Sequence, residues 1–214
     1  MQRGLIIAMV CVAGVAWADR AALSVDVGGG GVVTSVPAPS VKSPKSTLAL
    51  GGTVVAGVRY GLTNNLEISV SGFFDPPFTV YQNEVVVVSG GESYPGTLVQ
   101  QFMRFGATGG ARGVWGRRFR FHLGVEAGWL QNVYSHLKAL EDSAPGPATE
   151  YRIQLADVSH PAFVAAPFFG VEFVGDHWSV SVLPRAQISF GSQLTWSVVL
   201  PLQFSWKWFV GGND

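Results

Sequence analysis

The stretch Leu194–Trp208 reads LTWSVVLPLQFSWKW. Every second residue is apolar: Leu194, Trp196, Val198, Leu200, Leu202, Phe204, Trp206 and Trp208. Between them stand Thr195, Ser197, Val199, Pro201, Gln203, Ser205 and Lys207. A β-strand sends successive side chains to opposite faces, so this pattern makes one apolar face and one mostly polar face. Strands of soluble sheets usually run for about five or six residues, whereas this alternation continues for about fifteen. The apolar face is also aromatic at both ends. A strand that faces hydrocarbon and meets water at two interfaces has that signature.

The rest of the chain has the same character. Of 214 residues, 48% are hydrophobic and only 13% charged. Past residue 18, however, there is no run of about 20 apolar residues that would make a membrane helix. Lysine plus arginine equals aspartate plus glutamate at 14 each, so no bulk charge points to nucleic acid. The start differs. Arg3 precedes an apolar core, Gly4 to Val15, and the small-x-small site Ala16-Trp17-Ala18. Residues 1–18 are expected to be a cleaved secretory signal peptide, with 19–214 as one barrel domain. Cys11 is the only cysteine and lies in the segment expected to be removed, so the mature chain is expected to have neither a disulfide nor a thiolate metal site.

Runs of period two, and the turns between them, divide the chain into eight strands. They are expected at Leu23–Val33, Thr47–Tyr60, Leu66–Phe74, Leu98–Trp115, Phe119–Leu130, Ala162–Val174, His177–Phe190 and Leu194–Trp208. The first, third, fifth and seventh connections have about 13, 22, 30 and three residues, and the even ones only about two to five. Within the long ones, Val85–Val88 is expected to pair as a hairpin and His136–Glu141 to form a helical turn. Outer-membrane barrels sort their connections in this way, with short periplasmic turns and longer outside loops. The fold expected is all-β, an eight-stranded antiparallel up-and-down transmembrane β-barrel. The alternatives are a different strand count and a soluble lipocalin-like barrel. In the soluble barrel the aromatic faces would crowd an interior too narrow to hold them.

The hairpin Tyr60-Gly-Leu-Thr-Asn-Asn-Leu-Glu67, the Gly116-Arg-Arg118 and Gly175-Asp176 turns and the aromatic last strand carry a resemblance. The chain resembles the small outer-membrane barrels of Gram-negative bacteria, of OmpA, OmpX and OmpW type. The resemblance is one of architecture, covers Ala22–Phe209, and implies the cell outer membrane as location. It also implies insertion signalled by a terminal aromatic residue. Here Val-Gly-Gly-Asn-Asp follows Phe209, so Trp208 or Phe209 would have to serve.

Nearly every charge within the strands falls on the inward face: Asp26, Arg59, Glu67, Arg104, Arg112, Arg120, His122, Glu126, Glu172, Arg185 and Lys207. A charge facing lipid at mid-membrane costs about 2–4 kcal/mol. Turn lengths put Tyr60 opposite Leu66 and Arg59 opposite Glu67. They put Trp115 opposite Phe119, Arg112 opposite His122 and Thr108 opposite Glu126. The expected result is a lumen plugged by paired charges. The opposing reading is a polar path for a small solute. Tyr60, Trp115, Trp129, Trp178, Trp196, Trp206 and Trp208 are expected to form an aromatic girdle.

Chemistry is sparse. Ser135-His136 and Ser159-His160 flank the longest connection, with Glu141, Asp142 or Asp157 as orienting acids. Adjacent residues of a strand point to opposite faces, so neither dipeptide is a dyad by itself. There is no Gly-x-Ser-x-Gly, phosphate loop or His-Glu-x-x-His, and no cofactor or metal is expected. The leading expectation is a non-enzymatic, monomeric barrel with a structural or adhesive role, in contact with outer-membrane lipid and lipopolysaccharide. Its outer loops, 75–96 and 131–160, would offer Phe78, Tyr81, Tyr94 and Tyr151 to an extracellular partner or pack them over the barrel mouth. A narrow porin-like route for small or hydrophobic solutes is the second expectation, and a lipid A-modifying enzyme the third.

Overall fold

The computed structural model describes residues 21–38, 46–89, 92–141, 153–154 and 156–209. The expected leader, residues 1–18, lies outside them. The strands are β1 (Ala22–Val36), β2 (Thr47–Thr63), β3 (Leu66–Ser89), β4 (Glu92–Gly116), β5 (Phe119–Glu141), β6 (Val158–Val174), β7 (Trp178–Val182 and Arg185–Phe190) and β8 (Thr195–Phe209). A two-residue segment, Ile153–Gln154, adds to the end of β5. Each strand pairs antiparallel with the next, and β1 pairs with β8 from Ala22↔Phe209 to Thr34↔Ser197. The sheet therefore closes into an eight-stranded up-and-down barrel with no edge in its wall.

The break in β7 is a proline effect. Pro184 has no N–H to donate, and Leu183-Pro184 interrupts the ladder while the register holds on both sides, at Val171↔Val182 and Phe168↔Arg185. Pro76 and Pro77 act more strongly. The β2–β3 ladder ends at Val54↔Phe74, and a bulge separates Asp75 from Phe78. Beyond it β3 pairs with β4 as far as Ser89↔Glu92.

Three expectations need correction. The described residues of the connections expected at 75–96 and 131–160 are largely strand: β3, β4 and β5 run for 24, 25 and 23 residues, against 15 in β1 and in β8. Val85–Val88 does pair, but as a continuation of this ladder. His136–Glu141 is strand, not a helical turn; its irregularity is a bulge in which His136 takes φ 51° and donates its N–H to Asp157 Oδ1 at 3.1 Å. Both hairpin registers are offset by two residues from expectation: Tyr60 faces Ile68 and Trp115 faces Phe121. The strands continue further into the turns than their composition suggests, and Gly116, at φ 111°, reverses the chain where other residues would be strained.

The barrel has two faces of opposite chemistry. Leu50, Val70, Leu123, Phe169, Leu200 and Leu202 are 54–78% exposed on the outside. Among residues with described side chains, the exposed charges are Arg117, Arg118, Lys138, Asp157 and Asp176, all at the strand ends. Trp129, Trp178, Trp196, Trp206 and Trp208 are 38–48% exposed on the outer face, and Tyr60 and Trp115 are half-buried. With Phe74, Phe105, Phe163 and Phe190, Trp129 and Trp196 mark the end bearing the long hairpins. Trp178, Trp206 and Trp208 mark the end bearing the short turns. Trp129 and Phe119, Phe163 and Phe173, and Trp196 and Trp206 are each about ten residues apart along one strand, the span of a bilayer by a strand tilted about 45°.

Candidate functional site: the lumen and its two ends

Inward-facing positions of β1–β8 carry the polar half of each alternation, so closing the barrel collects them along its axis. All eleven charged positions singled out in the sequence are buried: Asp26, Arg59, Glu67, Arg104, Arg112, Arg120, His122, Glu126, Glu172, Arg185 and Lys207.

The short-turn end is organised around Arg59. Its Nε lies 2.7 Å from Asp26 Oδ2, Nη2 lies 3.1 Å from Glu172 Oε1 and Nη1 lies 3.4 Å from Glu67 Oε2. Nη2 also donates to Ser205 Oγ at 2.6 Å. Glu67 is shared with Arg112, whose Nε stands 2.8 Å away. Glu172 also meets His122 Nε2 at 3.1 Å and Arg120 Nη1 at 3.9 Å, and accepts from Ser179. A single buried charge costs several kcal/mol to desolvate, and here Glu67 and Glu172 each answer more than one basic side chain.

Further along, Glu126 takes Arg185 Nη1 at 2.9 Å, Thr108 Oγ1 at 2.8 Å, and Ser69 and Ser71 at 3.3 Å each. Next comes an apolar layer, Val55, Phe73, Leu130, Ala162 and Val164. Above it Arg104 Nε donates to Asp75 Oδ2 at 2.7 Å and Nη1 to Ser197 Oγ at 2.8 Å, and Ser197 donates to Gln187 at 3.1 Å. At the long-hairpin end Val36, Ala49, Val80, Phe102, Tyr134 and Leu137 form a buried apolar cluster, with Phe78 and Val158 packed against them. Phe78 meets Phe102 edge-on at 5.6 Å, and its ring lies where a side chain on Gly51 would have to be. The same order recurs along the strands. On β3 it runs Glu67, Ser69, Ser71, Phe73, Asp75, Val80; on β5 it runs His122, Glu126, Leu130, Tyr134, Leu137.

The pairings differ from those expected. Arg59 faces Ser69 in register and reaches Glu67 only along a diagonal; Arg112 faces Glu67 on β3 and Gly124 on β5, not His122. Thr108 does bind Glu126, although Glu126 faces Gly110. Asp75, assigned to a loop from sequence, is a lumen residue at 0% exposure. Its parity with Glu67, Ser69 and Ser71 was the available signal. The apolar cap was missed because Val36, Phe78, Val80, Tyr134, Leu137 and Val158 lie in segments taken as connections, which left only Ala49 and Phe102 on expected strands.

At the long-hairpin end residues of the two serine–histidine dipeptides have other partners. Ser159 accepts a hydrogen bond from Gln131, His160 lies edge-on to Tyr134 at 6.2 Å, and His136 uses its backbone on Asp157. Tyr81 is 64% exposed on β3, whereas Phe78 belongs to the cap. The side chain of Tyr94, and Tyr151 and Asp142, lie outside the described residues. Among the described residues no group of three or more metal-ligating side chains assembles.

No protein-family model matches the sequence, and neither does any curated protein. Solved structures do. The chain is similar to Neisserial surface protein A, with TM-score 0.54, 12% identity, and 87% of this chain and 99% of that one covered. It is also similar to Ail, the attachment invasion locus protein of Yersinia pestis, in complex with the heparin analogue sucrose octasulfate. There the TM-score is 0.50 and the identity 11%, over 88% of this chain and 99% of that one. These likenesses show the fold, that of the small eight-stranded outer-membrane β-barrels.

Proposed function

We propose that the chain is a non-enzymatic barrel of the Gram-negative outer membrane, exported by a leader at residues 1–18. Its lumen is plugged and its protruding hairpins are the working surface. The short-turn end then faces the periplasm, and the ends of β3, β4 and β5 stand outside, in contact with lipopolysaccharide and with an extracellular partner. The observation that carries this reading is the filling of the lumen. Carboxylates and guanidiniums pair across it from Arg59–Glu172 to Arg104–Asp75, and an apolar cluster covers the outer mouth. Buried ions held in this way give an eight-stranded barrel a solid interior. The exposed Tyr81 and Val86 on the projecting hairpin supply contact surface for a partner.

A second reading, a narrow conduit for small solutes, draws on inward polar atoms with no hydrogen-bond partner: Thr53 Oγ1, Asn132 Oδ1, Ser181 Oγ, Arg185 Nε and Ser189 Oγ. Planar-bilayer recording of the refolded chain decides between the two. The plugged barrel gives no stable single-channel steps; large, long-lived steps would establish the conduit and overturn the first reading. A lipid A mass pattern that changes on deletion, and reverts on complementation except with His136→Ala or His160→Ala, would overturn the non-enzymatic assignment.

A further inference from the structure

The outer wall is not uniformly filled. Successive rungs of the ladder across β2, β3 and β4 read Val54–Phe74–Phe105, then Ala56–Gly72–Ala107, then Val58–Val70–Gly109. The middle rung is made of the smallest side chains and lies between two larger ones. Trp129 on β5 stands opposite Ala107 and closes one end, edge-on to Phe105 at 5.9 Å and 70°. The result is a slot of about 450 Å³ over the small rung, lined by the first two of these rungs, Trp129, Phe73 and Gly106. Crossing four strands at about 4.8 Å each, it is about 14 Å long and, with the strands tilted about 40°, runs obliquely to the membrane normal.

We propose that this slot holds one acyl chain of lipopolysaccharide as an ordered, stoichiometric ligand. The inference rests on the outer-membrane reading above and names a site for the lipid contact it implies. Three observations select this occupant. The slot is continuous with the lipid-facing wall, so hydrocarbon is what reaches it. It adjoins the aromatic belt of Phe74, Phe105 and Trp129 at the long-hairpin end, which places it in the outer leaflet. It is also concave, whereas a second barrel presents a convex wall that leaves it unfilled. In hydrocarbon no hydrophobic gain drives binding, so retention depends on close packing of the chain against the aromatic rings of Phe74, Phe105 and Trp129 and a floor of Ala56, Gly72 and Ala107.

The test uses the full-length barrel reconstituted in vesicles of lipid A and phosphatidylethanolamine in equal amounts. Lipid retained after detergent release is then read by native mass spectrometry. The expected result is one lipid A per barrel. Gly72→Leu projects a side chain into the slot from a position where a Cβ meets nothing nearer than Gly106 O at 3.7 Å. Gly72→Leu and Ala107→Leu are each expected to lower retention at least threefold, while Val198→Leu on β8 leaves it unchanged. Equal retention in all variants, retention of phosphatidylethanolamine instead, or no retained lipid overturns the proposal. Slower migration of boiled than of unboiled protein on a gel checks the barrel separately. Loss of that shift in the parent chain would sink the membrane reading itself; a normal shift without lipid sinks only the slot.

Discussion

The guanidinium of Arg59 on β2 stands 3.1 Å from the carboxylate of Glu172 on β6, four strands away around an eight-stranded ring. Their contact therefore spans the lumen. Asp26, Glu67 and Ser205 hold the same guanidinium from the near side, and His122 and Ser179 hold the same carboxylate from the far side.

Removing one partner leaves the others buried with fewer counter-charges. Glu172→Ala is expected to cost about 3–5 kcal/mol, because Arg59 and Arg120 each lose a carboxylate in a site with almost no solvent access. The measurement is the urea midpoint of the gel-mobility transition. A change below about 0.5 kcal/mol, the scale of a surface substitution, would show that water already screens the site.

The apolar cap predicts a sealed outer mouth. In a Cys11→Ser background, Ser197→Cys is expected to resist a membrane-impermeant thiol reagent added from outside, because Ser197 lies beneath Phe102, Tyr134 and Leu137. Adding Phe102→Gly and Tyr134→Ala is expected to make it react. Labelling that is equally fast with and without the cap residues would remove the cap as a barrier.

The lipid-facing wall predicts a dependence on depth. Val70→Arg, on a residue 65% exposed midway between the belts, is expected to destabilise the folded barrel by about 2–4 kcal/mol. Leu194→Arg, 70% exposed beside the long-hairpin belt, is expected to cost only about 0–1 kcal/mol. Equal costs at the two positions, read from the same urea titrations, would contradict a bilayer around this wall.

Asp75 anchors the projecting hairpin where Pro76 and Pro77 release it from β2. Asp75→Asn weakens the bond to Arg104 but keeps the side-chain shape. Amide exchange along Phe78–Val99 is expected to accelerate, while that of β7 and β8 holds. Uniform acceleration over the barrel would mean that the pair stabilises the whole wall, and no change would mean that the cap alone holds the hairpin.

Much of this architecture is legible in the sequence because a strand's period of two is a local property. Leu194–Trp208 states which side chains face outward without reference to any other strand, and the same parity placed Arg104, Glu126 and Glu172 in the interior. The Gly116-Arg117-Arg118 and Gly175-Asp176 turns likewise located two of the short connections, though not the register across the first. Segments beyond the belts were not legible. There the outward positions are no longer required to be greasy, so Thr79–Thr97 and Val133–Glu141 lose the contrast that marks a membrane strand.

The sequence by itself determined the fold class, the eight strands and which residues of the expected strands look inward. Only the tertiary structure decided who meets whom. Arg112 with Glu67, Arg59 with Glu172 and Asp75 with Arg104 depend on the stagger with which the sheet closes, and that stagger is set by register and tilt summed around the ring. A shift of two residues keeps every side chain on its face and leaves the pattern unchanged, yet it gives each buried charge a different partner.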